Sequence, residues 1–296
     1  FQDLARSLRA QLEWAADCGT LGIPSVPLVE SEPAIPRPVS SPLRAEPSAE
    51  SRVQVASPSA ESRAQVASPS VEGRAPVSSP TTAAPVRLEP PLPRAPIAVP
   101  ADAEGRRARL TVLADEVRGC TRCVLHAERT QTVFARGTGS AGLCFVGEGP
   151  GADEDAQGYP FVGAAGQLLD RMIVAMGLTR DEVYVCNIVK CRPPKNRKPE
   201  PDEMAACKPY LEEQLELVQP QVLVALGATA VQGLLGTTEG ITRLRGKWKL
   251  YRGRIPVMPT FHPAYLLRTP GAKREVWEDL QAVLRQMGRV LPERRR

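Results

Sequence analysis

Four short apolar runs, Leu143–Val146, Val183–Val189, Val222–Leu226 and Ile255–Met258, alternate along the chain with segments whose apolar residues recur every three to four positions. Runs of this length, rich in Val and Ile and without polar alternation, have the pattern of strands buried on both faces. The helical pattern is clearest at 164–176, where Leu168, Leu169, Met172, Ile173 and Met176 share one side. It recurs at 202–218, 228–236 and 273–290. Strand followed by helix, repeated, predicts a parallel sheet covered on both faces, an α/β domain over residues 105–296. In such sheets ligands bind beyond the carboxyl ends of the strands, so the residues just after each run carry the functional interest.

The first hundred residues have a different texture. Leu4, Leu8, Leu12 and Ala15 fall at helical spacing within residues 2–17, predicting a short amphipathic helix in a first segment, 1–20. The chain begins with Phe and not Met, which leaves open whether its natural start is present, and the pattern does not tell whether this helix docks on the domain. Residues 21–100 hold 17 of the chain's 30 prolines, no aromatic residue and two glycines. An eleven-residue unit repeats there: SAESRVQVASP at 48–58, SAESRAQVASP at 59–69 and SVEGRAPVSSP at 70–80. A proline in every copy excludes a continuous helix, so 21–104 is predicted to be a disordered, semi-extended tether whose partner, if any, stays open. Deleting 1–100 is accordingly expected to leave a folding domain.

Composition narrows the setting. No run of eighteen apolar residues and no signal-peptide pattern occurs, which points to a cytoplasmic protein with no membrane partner. The net charge of +5 and pI near 8.9 suit a polyanionic partner without requiring one. Seven cysteines in a cytosolic chain suggest metal, catalysis or burial before disulfides. Cys120 and Cys123 form a C-x-x-C, and Cys191 and Cys207 bracket a Pro- and Lys-rich loop. Together they suit zinc or an iron–sulfur cluster, and the spacing leaves that choice open. Cys144 and Cys186 inside strand runs, and Cys18 after the first helix, have the character of small buried hydrophobes.

The strand ends are unusual. GEGPGADEDAQGYPFVG follows the first run: a glycine-rich turn that is neither a P-loop nor a dinucleotide fingerprint, so no nucleotide cofactor is implied. Its acids Asp153, Glu154 and Asp155 also fit simple helix capping. Asn187 closes the second run, and its amide could match the imide edge of a pyrimidine. His262 follows the fourth run, while the other histidine, His126, sits in a charged stretch beside the C-x-x-C.

Taken together, GEGPG…GYPFVGAAGQLLD, CNIVKCRPP with the following NR and Cys207, and FHPAYLLR resemble the family 4, iron–sulfur uracil-DNA glycosylases over residues 105–290. The resemblance implies a three-layer α/β/α sandwich around a four-stranded parallel sheet. It also implies a structural 4Fe–4S cluster on Cys120, Cys123, Cys191 and Cys207, and a monomer acting on uracil-containing DNA, single- or double-stranded, in base excision repair. Lys190, Arg192, Lys195, Arg197 and Lys198 would contact phosphates. By the same resemblance Phe161 stacks on the extruded base, Asn187 reads its edge, and His262 donates to the uracil oxygen on which charge gathers. Gly149 stands where a better-known branch of the superfamily carries a water-activating aspartate. It is counted with Phe161, Asn187, Asn196 and His262 among the substrate-contacting positions. Glu148 becomes the first choice for ordering the pocket or its water, and Glu154, partnered by Asn196, the second. Leu266–Leu267 suggest a wedge. No histidine lies in 188–207, so turnover is expected, not a covalent adduct with uracil.

Two rivals remain at this level. A non-catalytic DNA-binding relative of the same fold is disfavoured because Glu148, Asn187 and His262 are all present. An electron carrier is disfavoured by the 67 residues separating Cys123 from Cys191, since ferredoxins space their ligands closely.

Overall fold

The computed structural model describes residues 13–14 and 98–290. The chain divides into two compact units, residues 1–26 with 87–296 and residues 27–86, and the second lies wholly outside the described residues. The predicted tether up to residue 97 with its repeats, Cys18, and nearly all of the first helix therefore lie outside them too, while the tether's last residues, from Asp102 on, cap and begin a helix.

The parallel sheet forms as the apolar runs predict. Strands β1 (Leu143–Gly147), β2 (Tyr184–Asn187), β3 (Val222–Leu226) and β5 (Ile255–Thr260) pair in parallel in the order β2-β1-β3-β5. The count of four is corrected to five: β4 (Lys249–Tyr251) adds an antiparallel edge against β5. Its sequence KLY is short, carries one charge in three residues and is exposed at Lys249 and Leu250, so it lacks the signature of a buried strand. A tight turn makes the hairpin, with Arg252 at φ 49° and Gly253 at φ 69°. Two successive left-handed residues suit the right-handed twist of the paired strands.

Because side chains alternate across a strand, each strand feeds two cores. Leu143, Phe145, Val185, Val224 and Met258 face helices α3 (Ala164–Ala175) and α8 (Lys273–Gln286). Cys144, Val146, Cys186, Leu223 and Val257 face α4 (Pro201–Val218) and α5 (Ala228–Leu235). The result is the expected three-layer sandwich. Cys144 and Cys186 are fully buried in it, as small hydrophobes. Helix α1 (Ala103–Arg118) packs outside α4 through Leu113 and Val117 against Tyr210 and Leu217. It starts two residues before the boundary suggested by composition, where Asp102 caps it by accepting from Gly105 N at 2.7 Å. The remaining helices are short: α2 (Ala152–Gln157), α6 (Ile241–Leu244) and α7 (Pro263–Arg268). Among the described residues no helix is long and apolar enough to cross a membrane.

One finding bears on whether the first segment docks on the domain, which its sequence pattern leaves open. Trp14, helical and 1% exposed, sits in the α3/α8 core. Its ring meets Trp277 of α8 edge to face, with centroids 6.4 Å apart and an angle of 73°. The first segment thus contributes a large core side chain, something its own periodicity could not reveal because the partner lies far away in sequence.

Candidate active site and cysteine cage

The carboxyl ends of β1, β2 and β5 meet at one cavity of about 610 Å³. Glu148, Gly149, Glu154, Phe161, Asn187, Asn196 and His262 all line it. The sequence-predicted pocket residues, scattered over more than a hundred positions, are therefore brought together. A broader groove of about 1100 Å³ between α1 and residues 134–138 reaches Phe161 from elsewhere but holds none of the other six.

The ladder fixes the geometry. Gly147 is the register partner of Asn187, and the pairing continues past the strand ends: Ile188 N donates to Gly147 O at 3.0 Å and Val189 N to Glu148 O at 3.2 Å. At Gly147 a β-carbon would collide with Asn187 Oδ1 and lie 2.6 Å from Phe161 Cζ. Only a glycine lets both side chains close over the strand end. Phe161, at φ 57°, is buried and stacks on His262 with centroids 5.6 Å apart and planes 30° apart.

Glu154 holds this arrangement from behind. Its carboxylate accepts from Gly151 N at 3.0 Å, Val162 N at 2.9 Å and Gly163 N at 3.0 Å, joining the glycine-rich turn to the segment that carries Phe161. The expected Glu154–Asn196 partnership is not made: Asn196 Oδ1 accepts from Arg192 Nε at 2.7 Å. Backbone donors facing the turn already satisfy Glu154, whereas Asn196 lies across the cavity in a short 3₁₀ turn, 194–196.

Asn187 is 1% exposed, and its Oδ1 has no hydrogen-bond partner. A buried acceptor left unpaired costs about 1–3 kcal/mol, which a ligand donor would recover. His262 caps α7, and its Nδ1 accepts from Ala264 N at 3.1 Å. Burial lowers its pKa from the usual 6.5 to about 4; the Arg268 cation pushes the same way and Glu154 opposes. The imidazole is therefore neutral at pH 7, and with Nδ1 accepting, its proton resides on Nε2.

Some expectations need correction. Of the predicted phosphate contacts, Lys190 is 1% exposed and its Nζ donates to Asn187 O at 2.7 Å. Arg197 forks onto Glu203 at 2.8 and 2.6 Å and Lys198 donates to Gln232 at 2.7 Å, yet both keep exposed surface, so the correction applies to Lys190 alone. Of the predicted wedge pair, Leu266 is a core residue, and Leu267 alone is exposed. Tyr265 and Arg268 at the cavity rim escaped sequence reasoning, although both stand within the HPAYLLR motif.

Beyond Asn187, Cys120, Cys123, Cys191 and Cys207 line a second, small cavity together with Lys190 and Arg129. Arg129 Nη1 donates to Cys191 Sγ at 3.2 Å and to Cys120 O at 2.8 Å. Burial pushes the Cys123 thiol up to about 11 and Cys207 up to about 12, so thiolates there require compensating positive charge. Among the described residues no three His, Cys, Asp or Glu side chains form a group able to hold one metal ion. The four thiols nevertheless line one cavity, and they are the residues that could hold a metal centre.

The uracil DNA glycosylase superfamily description matches residues 134–281. A type-4 uracil-DNA glycosylase of Thermotoga maritima is 45% identical over 179 residues, 60% of this chain and 93% of the relative. The chain belongs to the type-4 uracil-DNA glycosylases. Type-4 uracil-DNA glycosylases of Saccharolobus solfataricus (43% over 182 residues, 59% of this chain and 84% of the relative) and Sulfurisphaera tokodaii (42% over 182 residues, 59% and 83%) are similarly alike. About 40% of this chain lies outside each of these alignments.

Proposed function

We propose that this chain removes uracil from DNA by hydrolysing the N-glycosidic bond, leaving free uracil and an abasic site, and so opens base excision repair. The observation that carries the reading is the unpartnered Oδ1 of Asn187, buried in the cavity where Phe161 and His262 meet. An extruded uracil supplies an imide N–H to that oxygen, while the Asn187 amide donates to a uracil carbonyl. Phe161 provides the apolar wall on which the base stacks.

As the glycosidic bond breaks, negative charge develops on the uracil oxygen beside the departing nitrogen. His262, neutral and with its proton on Nε2, donates to that oxygen without first losing a proton. Such a fixed donor is worth far more toward the anion than toward the neutral base. Glu148, at the end of β1, is assigned to order the attacking water. Glu154 is assigned to hold the loop, because its carboxylate is already committed to three backbone donors.

The four cysteines are assigned a 4Fe–4S cluster that works as a structural cross-link. It would tie the turn after α1 to the 191–207 loop. Free cysteines throughout the described residues are consistent with the cytosol. A monomer suffices for this chemistry, since all the assigned groups belong to one chain.

The test is release of free uracil from a uracil-containing oligonucleotide by the purified protein, with neither metal nor nucleotide added. About four irons per chain and a broad visible absorption should accompany it. Stoichiometric zinc without iron after anaerobic purification would overturn the cluster assignment, and absence of uracil release would overturn the activity.

A further inference from the structure

Lys190 is the one cation of the 190–198 loop that the structure removes from solvent. Its side chain is 1% exposed, and its Nζ donates to the main-chain carbonyl of Asn187 at 2.7 Å. It also lines the cavity enclosed by the four cysteines. Its own carbonyl is fixed, accepting from Val133 N at 2.8 Å. A buried ammonium is costly unless a counter-charge faces it. Among the described residues no carboxylate forms an ion pair with it, and it shares its cavity with the four thiols and with Arg122, His126, Arg129 and Tyr210, of which the cysteines, as cluster ligands, would supply negative charge. Four thiolates around a 4Fe–4S core of charge +2 would leave a net charge of −2 there, the missing counter-charge. The same side chain therefore has one end in the cysteine cage and its hydrogen bond on the residue whose side chain enters the uracil pocket.

We propose that Lys190 is a positioning residue that couples the two sites: the charge of the loaded cage holds its ammonium on the Asn187 carbonyl, and that bond fixes the turn from which Asn187 reads the base. The ladder gives the turn little other support on this side. Ile188 and Val189 are bonded to β1 through their N–H groups, which sets the register but leaves the orientation of the Asn187 carbonyl to Lys190. The proposal rests on the assignment of Asn187 to uracil reading and of the cysteines to a cluster. It gives the cluster a consequence for catalysis without any redox step.

The experiment uses the full-length, iron-loaded protein with Lys190→Met, which keeps the length of the side chain and removes its charge and donors. Four quantities are read: iron per chain, the reduction potential of the cluster, the affinity for abasic-site DNA, and the single-turnover rate of uracil release. Iron should stay at the parent level. The potential should move negative, because a nearby cation favours the reduced, more negative cluster. Abasic-site affinity should stay within about twofold, while excision slows by about tenfold or more, the kinetic equivalent of losing about 1.4 kcal/mol or more. Lys190→Arg should return the potential to the parent value and restore part of the rate. If Lys190→Met does not accumulate as folded holoprotein, Lys190→Gln serves with the same expectations.

An unmoved potential would overturn the charge link, and an excision rate equal to the parent's with full iron would overturn the positioning role. Loss of iron would also overturn the proposal, making Lys190 a support of the cage alone. A parent protein that releases no uracil would instead defeat the function reading, and the potential would still test whether Lys190 faces the cluster.

Discussion

Lowering the assay pH from 8 to 5 separates a His262 that must stay neutral from one whose proton matters for catalysis. Burial places its pKa at about 4 instead of 6.5, so protonating it in the fold costs about 3 kcal/mol more than in the open chain. The sign follows from a depressed base: its neutral form is favoured by folding. This contribution to stability is complete above pH 6.5 and is lost as pH falls through 4. At pH 5 about nine-tenths of the molecules still hold neutral His262, against about 3% for an unshifted imidazole. Single-turnover uracil release, with iron content verified at each pH, should therefore be nearly flat from pH 8 to 5. His262→Ala should slow it by about 10²–10³-fold, the loss seen for one such donor, with DNA affinity little changed. His262→Gln should regain part of the rate because its amide still donates. A parent rate that halves as pH falls through 6.5, with that dependence lost in His262→Gln, would refute the burial-depressed pKa, and a rate that rises severalfold over the same fall in pH would refute the neutral-donor role.

Asn187→Asp replaces the amide donor with a carboxylate; excision should fall by about 10–100-fold, equivalent to about 1–3 kcal/mol, with binding of abasic-site DNA nearly kept. If Asn187→Asp cuts as fast as the parent, Asn187 is structural. Glu154→Gln turns one acceptor oxygen into a donor facing backbone N–H groups, and the urea unfolding midpoint should drop in proportion to about 1–3 kcal/mol. An excision rate reduced by orders of magnitude with an unmoved midpoint would return Glu154 to the role of ordering the attacking water. Trp14→Ala should cost about 3–5 kcal/mol of stability, the usual loss for a buried Trp, whereas deleting 27–86 with Trp14 retained should cost far less. Equal stability of Trp14→Ala and the parent would show that the Trp14–Trp277 contact is not maintained in solution.

How much was legible in the sequence depended on whether the deciding force acts locally. The four parallel strands were legible because burial on both faces writes itself as an unbroken apolar run, and each is fully or largely buried. β4 was missed for the converse reason. An edge strand has one partner and much solvent, so Lys249 and Leu250 stay exposed, and the only mark it leaves is a weak alternation before a left-handed turn at Arg252 and Gly253. Trp14 lay beyond any local rule: the residue its ring meets, Trp277, is 263 positions away.

The pocket was legible for a different reason, which also explains what was misread in it. Parallel strands all end at one edge, so Glu148, Asn187 and His262 could be grouped from strand ends alone. Lys190 could not be separated from Arg192, Lys195, Arg197 and Lys198 in that way, since all five are cations of one loop and only burial distinguishes them. Gly147 shows the limit from the other side. A glycine-rich turn after a strand invites the reading that bare backbone approaches a ligand, yet the atoms crowding Gly147 are Asn187 Oδ1 and Phe161 Cζ, belonging to the protein itself. The glycine is required because two side chains assigned to the base must pass over the strand end at once. The motif's composition is thus set at this position by closure of the pocket wall, one step before any contact with substrate.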